Sequence, residues 1–186
     1  MPEEFPTSFL GIPPLPPPPA RSERHAHGLL LARHWAIQSR DPILRSGAVA
    51  IRGDRLLAAA NDSMPLGVRD SGARRRGKDT RPWFRATAPA ALVAAAARGG
   101  ISLNGSTAYV WPLLEDAPSA ALLIAAGCME IATLDVPIPS RMEGDQIAIQ
   151  QMCSEAGVLL SEIQAPPSWD TPLVPGTIAA THDSPV

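Results

Sequence analysis

The basic segment between residues 69 and 85 is the part of this sequence whose residue types are best suited to chemistry. It carries seven arginine and lysine side chains against the two carboxylates of Asp70 and Asp79, an excess of five positive charges. Clustered guanidinium groups bind phosphate oxygens in pairs, so the segment predicts a site for an anion or a nucleotide phosphate. A solvated loop, or a loop that contacts another subunit, explains the same charges. The candidate ligands are Arg74, Arg75, Arg76 and Lys78.

Residues that bind transition metals are few. The sequence contains Cys128, Cys153, His25, His27, His34 and His182 as its only cysteines and histidines. Zinc sites use several thiolate or imidazole ligands in a tetrahedral set. His25 and His27 could form a pair, but no third ligand accompanies them, so we predict no metal and no cofactor. The two cysteines are expected to be buried structural thiols.

Composition limits the possible classes of protein. The chain has 186 residues, 45% of them hydrophobic, which is enough for one domain with a core. A net charge of −2 gives no general attraction to nucleic acid. Two cysteines without a disulfide pattern fit a reducing cytoplasm. The acidic, proline-rich start does not fit a signal peptide and the apolar runs are too short to span a bilayer, so we expect a cytoplasmic protein without membrane contact.

The two ends of the chain differ from its middle. Residues 1–20 form a predicted tail that ends in a proline run, Pro13–Pro19, and residues 165–186 form a second tail rich in proline and threonine. A proline run adopts polyproline II and cannot pair into a sheet. It could lie on its own domain or on a neighbouring subunit, or dock on an aromatic groove of a partner. The folded domain is therefore expected to span residues 21–164.

Between the tails, helical and extended patterns alternate. Arg21–Arg40 shows the spacing of an amphipathic helix, and Gly53-Asp54 separates two apolar runs as a hairpin turn does. After a polar loop over Asn61–Arg85, three helices alternate with three strands. The order α-β-β-α-β-α-β-α-β predicts a three-layer α/β/α domain with a five-stranded mixed sheet. The expected later elements are helices near 88–98, 116–126 and 142–156, and strands at 107–111, 130–135 and 158–163.

Two segments resemble the zinc-binding half of the cytidine and deoxycytidylate deaminase family. Arg81–Gly100 leads into an alanine-rich helix, as does the family segment that carries a His-Ala-Glu triplet. Thr107–Val110 resembles the strand that precedes the family's Pro-Cys-x-x-Cys motif, and Asp116–Gly127 resembles the helix that follows. The resemblance covers about residues 24–163 and implies the cytidine deaminase-like fold.

The residues that carry the family's chemistry are replaced. In the family, one histidine and two cysteines hold Zn²⁺, which activates water, and a glutamate transfers the proton. The matching positions here are Thr87, Asp116 and Ser119 for the ligands and Pro89 for the glutamate. These residues predict helix starts that persist without metal, because proline suits the first turn of a helix and Thr87 and Asp116 suit the N-cap.

A third segment resembles the deoxycytidylate branch of the family. Asn61–Asp70 is similar to that branch's Asn-Gly-x-Pro-x-Gly-Val segment, which precedes a basic loop near the substrate. The resemblance implies that Asn61 contacts a nucleotide sugar. Asn61 is equally well explained as a turn former between a strand and a loop.

Three functions are compatible with these observations. The first is an inactive, metal-free pseudoenzyme that serves as a structural or regulatory subunit, as a homo-oligomer or beside an active paralogue. The second is a module that binds a nucleotide through Asn61 and the basic segment. The third is an enzyme with altered chemistry that uses carboxylates such as Glu115, Asp116 or Asp70. Self-association is expected because the family buries the helices at Ala90–Ala97 and Ala120–Ala126 in subunit contacts, and both are rich in small apolar residues here.

Overall fold

The computed structural model describes residues 20–77, 80–165 and 169 of the chain. Helices and strands occur in the predicted order, and two short helices are added within the polar loop. In chain order the elements are α1 (Arg21–Ile37), β1 (Gly47–Arg52), β2 (Arg55–Asn61), α2 (Gly72–Arg76), α3 (Arg81–Phe84), α4 (Ala88–Arg98), β3 (Thr107–Trp111), α5 (Ala117–Ala125), β4 (Glu130–Leu134), α6 (Glu143–Ala156) and β5 (Leu159–Ile163).

The five strands form one mixed sheet in the order β2-β1-β3-β4-β5. Strand β1 runs antiparallel to β2 and to β3, whereas β3, β4 and β5 run parallel. Gly53 has φ +64° in the predicted turn between β1 and β2, a conformation that glycine adopts without strain. The predicted five-stranded mixed sheet is confirmed.

Helices cover both faces of the sheet, which confirms the predicted three layers. One core lies under α1 and includes Leu29, Val49 and Tyr109. The other lies under α4, α5 and α6 and includes Leu92, Leu123, Ile131 and Ile149. Successive strand residues alternate between the two cores, as the pleat requires.

Close contact between α1 and β1 depends on Gly47. A Cβ atom added at this position would lie 2.1 Å from the backbone oxygen of Ala32, so only glycine lets the helix approach so closely. This contact brings the end of α1 and the Gln38–Arg45 loop alongside the end of β2. The loop and the strand end are two of the walls of the site described below.

The ends of the chain fall largely outside the described residues, including the proline run Pro13–Pro19. Ala165 and Trp169 are the described members of the predicted C-terminal tail, and the Trp169 ring lies 5.7 Å from that of Trp111. The Arg33 side chain donates to the Trp169 carbonyl at 3.1 Å. In the part of the chain that the structure describes, no helix is both long enough and apolar enough to cross a membrane.

Candidate functional site

Three of the residues singled out from the sequence meet where α4 and α5 begin. Thr87 precedes α4, while Asp116 precedes α5 and Ser119 lies in its first turn. The Thr87 and Ser119 hydroxyl oxygens are 2.7 Å apart and share a hydrogen bond. The Ser119 hydroxyl also donates to the Asp116 carboxylate at 3.0 Å, and the Ser119 amide donates to the same carboxylate at 2.8 Å. A chain of hydrogen bonds therefore joins the three side chains.

These contacts bear out one predicted helix cap and modify the other. Asp116 caps α5 through the Ser119 amide, as expected. Thr87 occupies the N-cap position of α4, but its side chain makes no capping bond because it is turned toward Ser119. Pro89 is buried in the first turn of α4 and Pro118 lies in the first turn of α5, where a missing N–H has no helical partner to lose.

The donor set at this point does not fit zinc. It offers two hydroxyls and one carboxylate, and the hydroxyls are already bound to each other. Two oxygen ligands of one tetrahedral zinc ion would lie about 3.4 Å apart, given bonds of about 2.1 Å. Among the described residues, no group of three or more His, Cys, Asp or Glu side chains could hold a metal ion.

Beside this chain of hydrogen bonds, the guanidinium of Arg85 lies among three carboxylates. It donates to Glu115 at 2.6 Å and lies 3.3 Å from an oxygen of Asp62 and 3.8 Å from one of Asp41. The side chains of Arg85 and Glu115 are only 11% and 13% exposed. Arg81 donates to Asp41 at 2.7 Å and adds a second arginine to the cluster.

The protein environment lowers the pKa of one carboxylate in this cluster and raises the pKa of another. Burial disfavours the charged form of Asp41, but amide bonds from Leu44 and Ile43 and the Arg81 guanidinium outweigh it, so the Asp41 pKa is lowered. Burial dominates at Asp62 and raises its pKa. Burial also opposes the charge of Arg85, yet the pKa of Arg85 is raised because Glu115, Asp62 and Asp41 surround it.

A cavity of about 210 Å³ opens next to the cluster. It lies between the loop that follows α1, the end of β2 and the two short helices. Its walls are polar and charged with the exception of Met64. The lining residues are Gln38, Arg40, Asp41, Asn61, Asp62, Ser63, Met64, Asp70, Arg75, Arg81 and Arg85.

The structure separates the members of the predicted phosphate site. Arg75 lines the cavity and forms a bidentate ion pair with Asp70. Arg74 packs over the ring of Phe84, 4.5 Å from its centroid, and Arg76 does not line the cavity. Lys78 lies outside the described residues. Asn61 lines the cavity, and its amide donates to the Trp35 carbonyl at 3.3 Å.

Several lining residues were not among the predicted ligands. Arg81 and Arg85 belong to the basic segment, but the sequence offered no reason to prefer them over its other arginines. Gln38, Arg40 and Asp41 follow α1 in sequence, and Asp62 follows Asn61. A buried aspartate directly after a strand was the one available signal, because such a carboxylate requires a cationic or amide partner.

No protein-family model matches the sequence, and no curated protein matches it either. Solved structures do match the fold. A dCMP deaminase from the cyanophage S-TIM5, in complex with dCMP and dUMP, superposes with a TM-score of 0.64 at 17% identity, over 77% of this chain and 98% of that one. The chain has the cytidine deaminase-like fold. The apo form of the cyanophage enzyme matches this fold with a TM-score of 0.59 at 14% identity, over 76% of this chain and 98% of that one.

The same fold occurs as part of a longer enzyme. A diaminohydroxyphosphoribosylaminopyrimidine deaminase/5-amino-6-(5-phosphoribosylamino)uracil reductase from Thermotoga maritima matches with a TM-score of 0.55 at 17% identity. The match covers 77% of this chain and 37% of that one. The resemblance inferred from the sequence is therefore confirmed at the level of the fold.

A second polar cluster, around Glu130, lies at the other end of the sheet. His25 is buried within α1, where its Nε2 accepts from Arg21 at 3.2 Å and lies 3.5 Å from Glu130. Glu130 also accepts from Ser161 at 2.7 Å. These bonds join α1, β4 and β5, while the Nδ1 atom of His25 is buried without a hydrogen-bond partner among the described residues.

Proposed function

We propose that this protein is a metal-free, catalytically inactive relative of deoxycytidylate deaminases that serves as a structural or regulatory subunit. The observation that carries the proposal is the chain of hydrogen bonds from Thr87 through Ser119 to Asp116. Neutral hydroxyls are poor zinc ligands, and Pro89 has no group that can transfer a proton. The two helix starts are stabilised here by hydrogen bonds and a cap, so they have no need of a metal ion.

The carboxylates available for altered chemistry are already engaged. Glu115 pairs with Arg85, Asp116 caps α5, and Asp70 pairs with Arg75. A general base needs a free lone pair within reach of substrate and a pKa suited to its task. These contacts support a structural role for the three carboxylates over a divergent active deaminase.

The test is metal analysis combined with an activity assay. Purified protein, prepared without chelator, should hold well below one zinc per chain and should deaminate neither cytidine nor deoxycytidylate. About one zinc per chain that resists mild chelation would overturn the proposal. The subunit role predicts a homo-oligomer, or a hetero-oligomer with an active paralogue in the cytoplasm. Pull-down from cells that produce this protein identifies which of the two assemblies forms.

A second role, as a binding module with a phosphate site, is favoured by the cavity beside Arg81 and Arg85. The cavity brings four guanidinium groups to one place, together with Asn61. Guanidinium groups bind phosphate oxygens bidentately. The cyanophage deaminase of the same fold binds dCMP and dUMP, which supports a phosphorylated ligand here. Calorimetric titration with nucleoside monophosphates and with nucleosides tests this role.

A further inference from the structure

The wall formed by Arg85 and Glu115 decides how far a ligand can enter the cavity. Arg85 lines the cavity, and Glu115, behind it, holds the guanidinium at 2.6 Å. Glu115 adjoins Asp116, one of the residues at the position that the resemblance assigns to zinc. Of the described residues at that position (Thr87, Pro89, Asp116 and Ser119), none lines the cavity. The Arg85–Glu115 pair therefore separates the cavity from the place where metal chemistry would occur.

The groups that line the cavity favour an anion. Both oxygens of Asp70 are held by Arg75, and both oxygens of Asp41 are held by backbone amides and arginines. A guanidinium has five N–H donors, and a bidentate pair uses two of them. The arginines therefore retain donors, and the buried Arg81 Nη2 and Arg85 Nε have no hydrogen-bond partner in the described part of the chain. The Asp62 carboxylate also lines the cavity and its Oδ2 has no hydrogen-bond partner among the described residues, so the four guanidinium groups exceed the three lining carboxylates by one positive charge. Donors in excess select an acceptor-rich, negatively charged group.

Neutral polar groups on the same walls match hydroxyls. Gln38, Asn61 and Ser63 line the cavity next to the arginines. The Asn61 amide nitrogen is used by the Trp35 carbonyl, which leaves its side-chain oxygen as an acceptor. Amide and hydroxyl groups of this kind pair with the hydroxyls of a sugar.

Size then limits the ligand. The cavity measures about 210 Å³, below the roughly 300–1,000 Å³ of pockets that enclose drug-sized ligands. Resting on the phosphate-binding role proposed above, we infer that the cavity accepts a phosphorylated sugar of about one ring, and that the Arg85–Glu115 pair excludes the base of a whole nucleotide. The ligand class is a pentose phosphate or a phosphate ester of similar size.

Calorimetric titration of the full-length protein separates the possibilities. The probes are ribose 5-phosphate, ribose, inorganic phosphate and deoxycytidylate. Ribose 5-phosphate should bind at least tenfold more tightly than each of the other three. If deoxycytidylate binds as tightly as ribose 5-phosphate, the exclusion of the base is wrong while the phosphate-binding role stands. If inorganic phosphate binds as tightly, selection of the sugar is wrong. If no probe binds, the binding role and this inference both fail.

Two matched substitutions test the walls. Arg75→Ala should weaken ribose 5-phosphate binding at least tenfold, whereas Arg74→Ala, which removes a neighbouring arginine outside the cavity, should leave it within twofold. Glu115→Gln removes the negative charge that holds Arg85 and should narrow the difference in affinity between deoxycytidylate and ribose 5-phosphate to less than threefold. An unchanged ratio in a folded Glu115→Gln protein would overturn the assignment of the wall. If Glu115→Gln fails to fold, Arg85→Lys gives the same comparison.

Discussion

The hydroxyl oxygen of Thr87 lies 2.7 Å from the hydroxyl oxygen of Ser119, and this hydrogen bond joins the starts of α4 and α5. The sequence resemblance to zinc deaminases implies metal ligands at these two positions. Here two neutral groups satisfy each other, and the Asp116 carboxylate completes the chain as an acceptor. The helix starts are thus held by short-range hydrogen bonds.

Removal of the central hydroxyl should weaken this junction. Ser119→Ala deletes the bonds to Thr87 and Asp116 but keeps the backbone cap of α5. Because Thr87 then lacks its partner, we expect a loss of about 1–2 kcal/mol in the free energy of unfolding, measured by urea denaturation. Ser154→Ala, at an exposed position of α6, is the control and should change the value by less than about 0.5 kcal/mol. Equal effects at the two serines would argue against a structural role for the junction.

Introduction of metal ligands should create a zinc site. The triple substitution Thr87→His, Asp116→Cys and Ser119→Cys places one imidazole and two thiolates on helix starts that the fold already brings together. We expect about one zinc per chain by elemental analysis, with none in the wild type, since such a set leaves a fourth position for water. Adding Pro89→Glu supplies a proton carrier. Failure of a folded triple variant to bind zinc would show that the helix starts no longer have the ligand geometry.

Loss of Arg85 should destabilise the protein strongly. Arg85→Ala leaves Glu115 and Asp62 buried without their shared cation, and removal of one partner of a buried ion pair costs roughly 3–5 kcal/mol. Arg76→Ala removes an exposed arginine from the same segment and should cost less than about 0.5 kcal/mol. Chemical denaturation of both variants measures the difference. A small loss of stability in the Arg85→Ala variant would mean that water replaces the guanidinium in the cluster.

Acid should destabilise the protein partly through Asp41. Its pKa in the folded protein lies below the ordinary value of 3.8, so the unfolded chain takes up the proton first. The stability that Asp41 contributes is present above about pH 4 and is lost as the pH falls through its folded pKa. Asp62, whose pKa is raised, acts in the opposite sense, because its ionised form is disfavoured as the pH rises above 3.8.

The Asp41→Asn variant separates these two effects. It should be less stable than wild type at pH 7 and should lose less of its remaining stability between pH 5 and pH 3. The comparison is a series of urea denaturation curves over that pH range, with Asp54→Asn in the exposed hairpin turn as the control. Parallel pH profiles for wild type and Asp41→Asn would contradict the assigned role of Asp41.

Self-association should involve apolar side chains that are exposed on α5 and α6. Leu122 is 42% exposed and Ile147 is 67% exposed, each on a helix that packs against the other. Burial of such apolar groups between subunits removes them from water. Light scattering should give at least twice the monomer mass of 19.6 kDa. The Leu122→Glu substitution should reduce the measured mass toward that of one chain. Leu66→Glu, in a loop, is the control; a wild type that is monomeric at micromolar concentrations would rule out this interface.

The amino-acid sequence alone was sufficient to predict the order of elements and the layered sheet. Apolar periodicity, the Gly53-Asp54 turn and the proline-led helix starts are local signals, because each depends on residues close together in the chain. Residue identities also predict that the zinc ligands are lost, since threonine and serine cannot replace imidazole and thiolate; this stays a prediction. The short helices α2 and α3 were missed because an isolated helical turn has almost no periodic signal.

Only the tertiary structure decided which polar residues act together. Arg75 lines the cavity and Arg74, its neighbour in sequence, packs on Phe84 instead; a run of arginines does not indicate which way each side chain points. The partners of Arg85 come from three separate segments, at Asp41, Asp62 and Glu115. Ion pairs and cavities depend on distances through space between residues far apart in the chain. The sequence could therefore predict the charges, whereas the fold determined which of them meet.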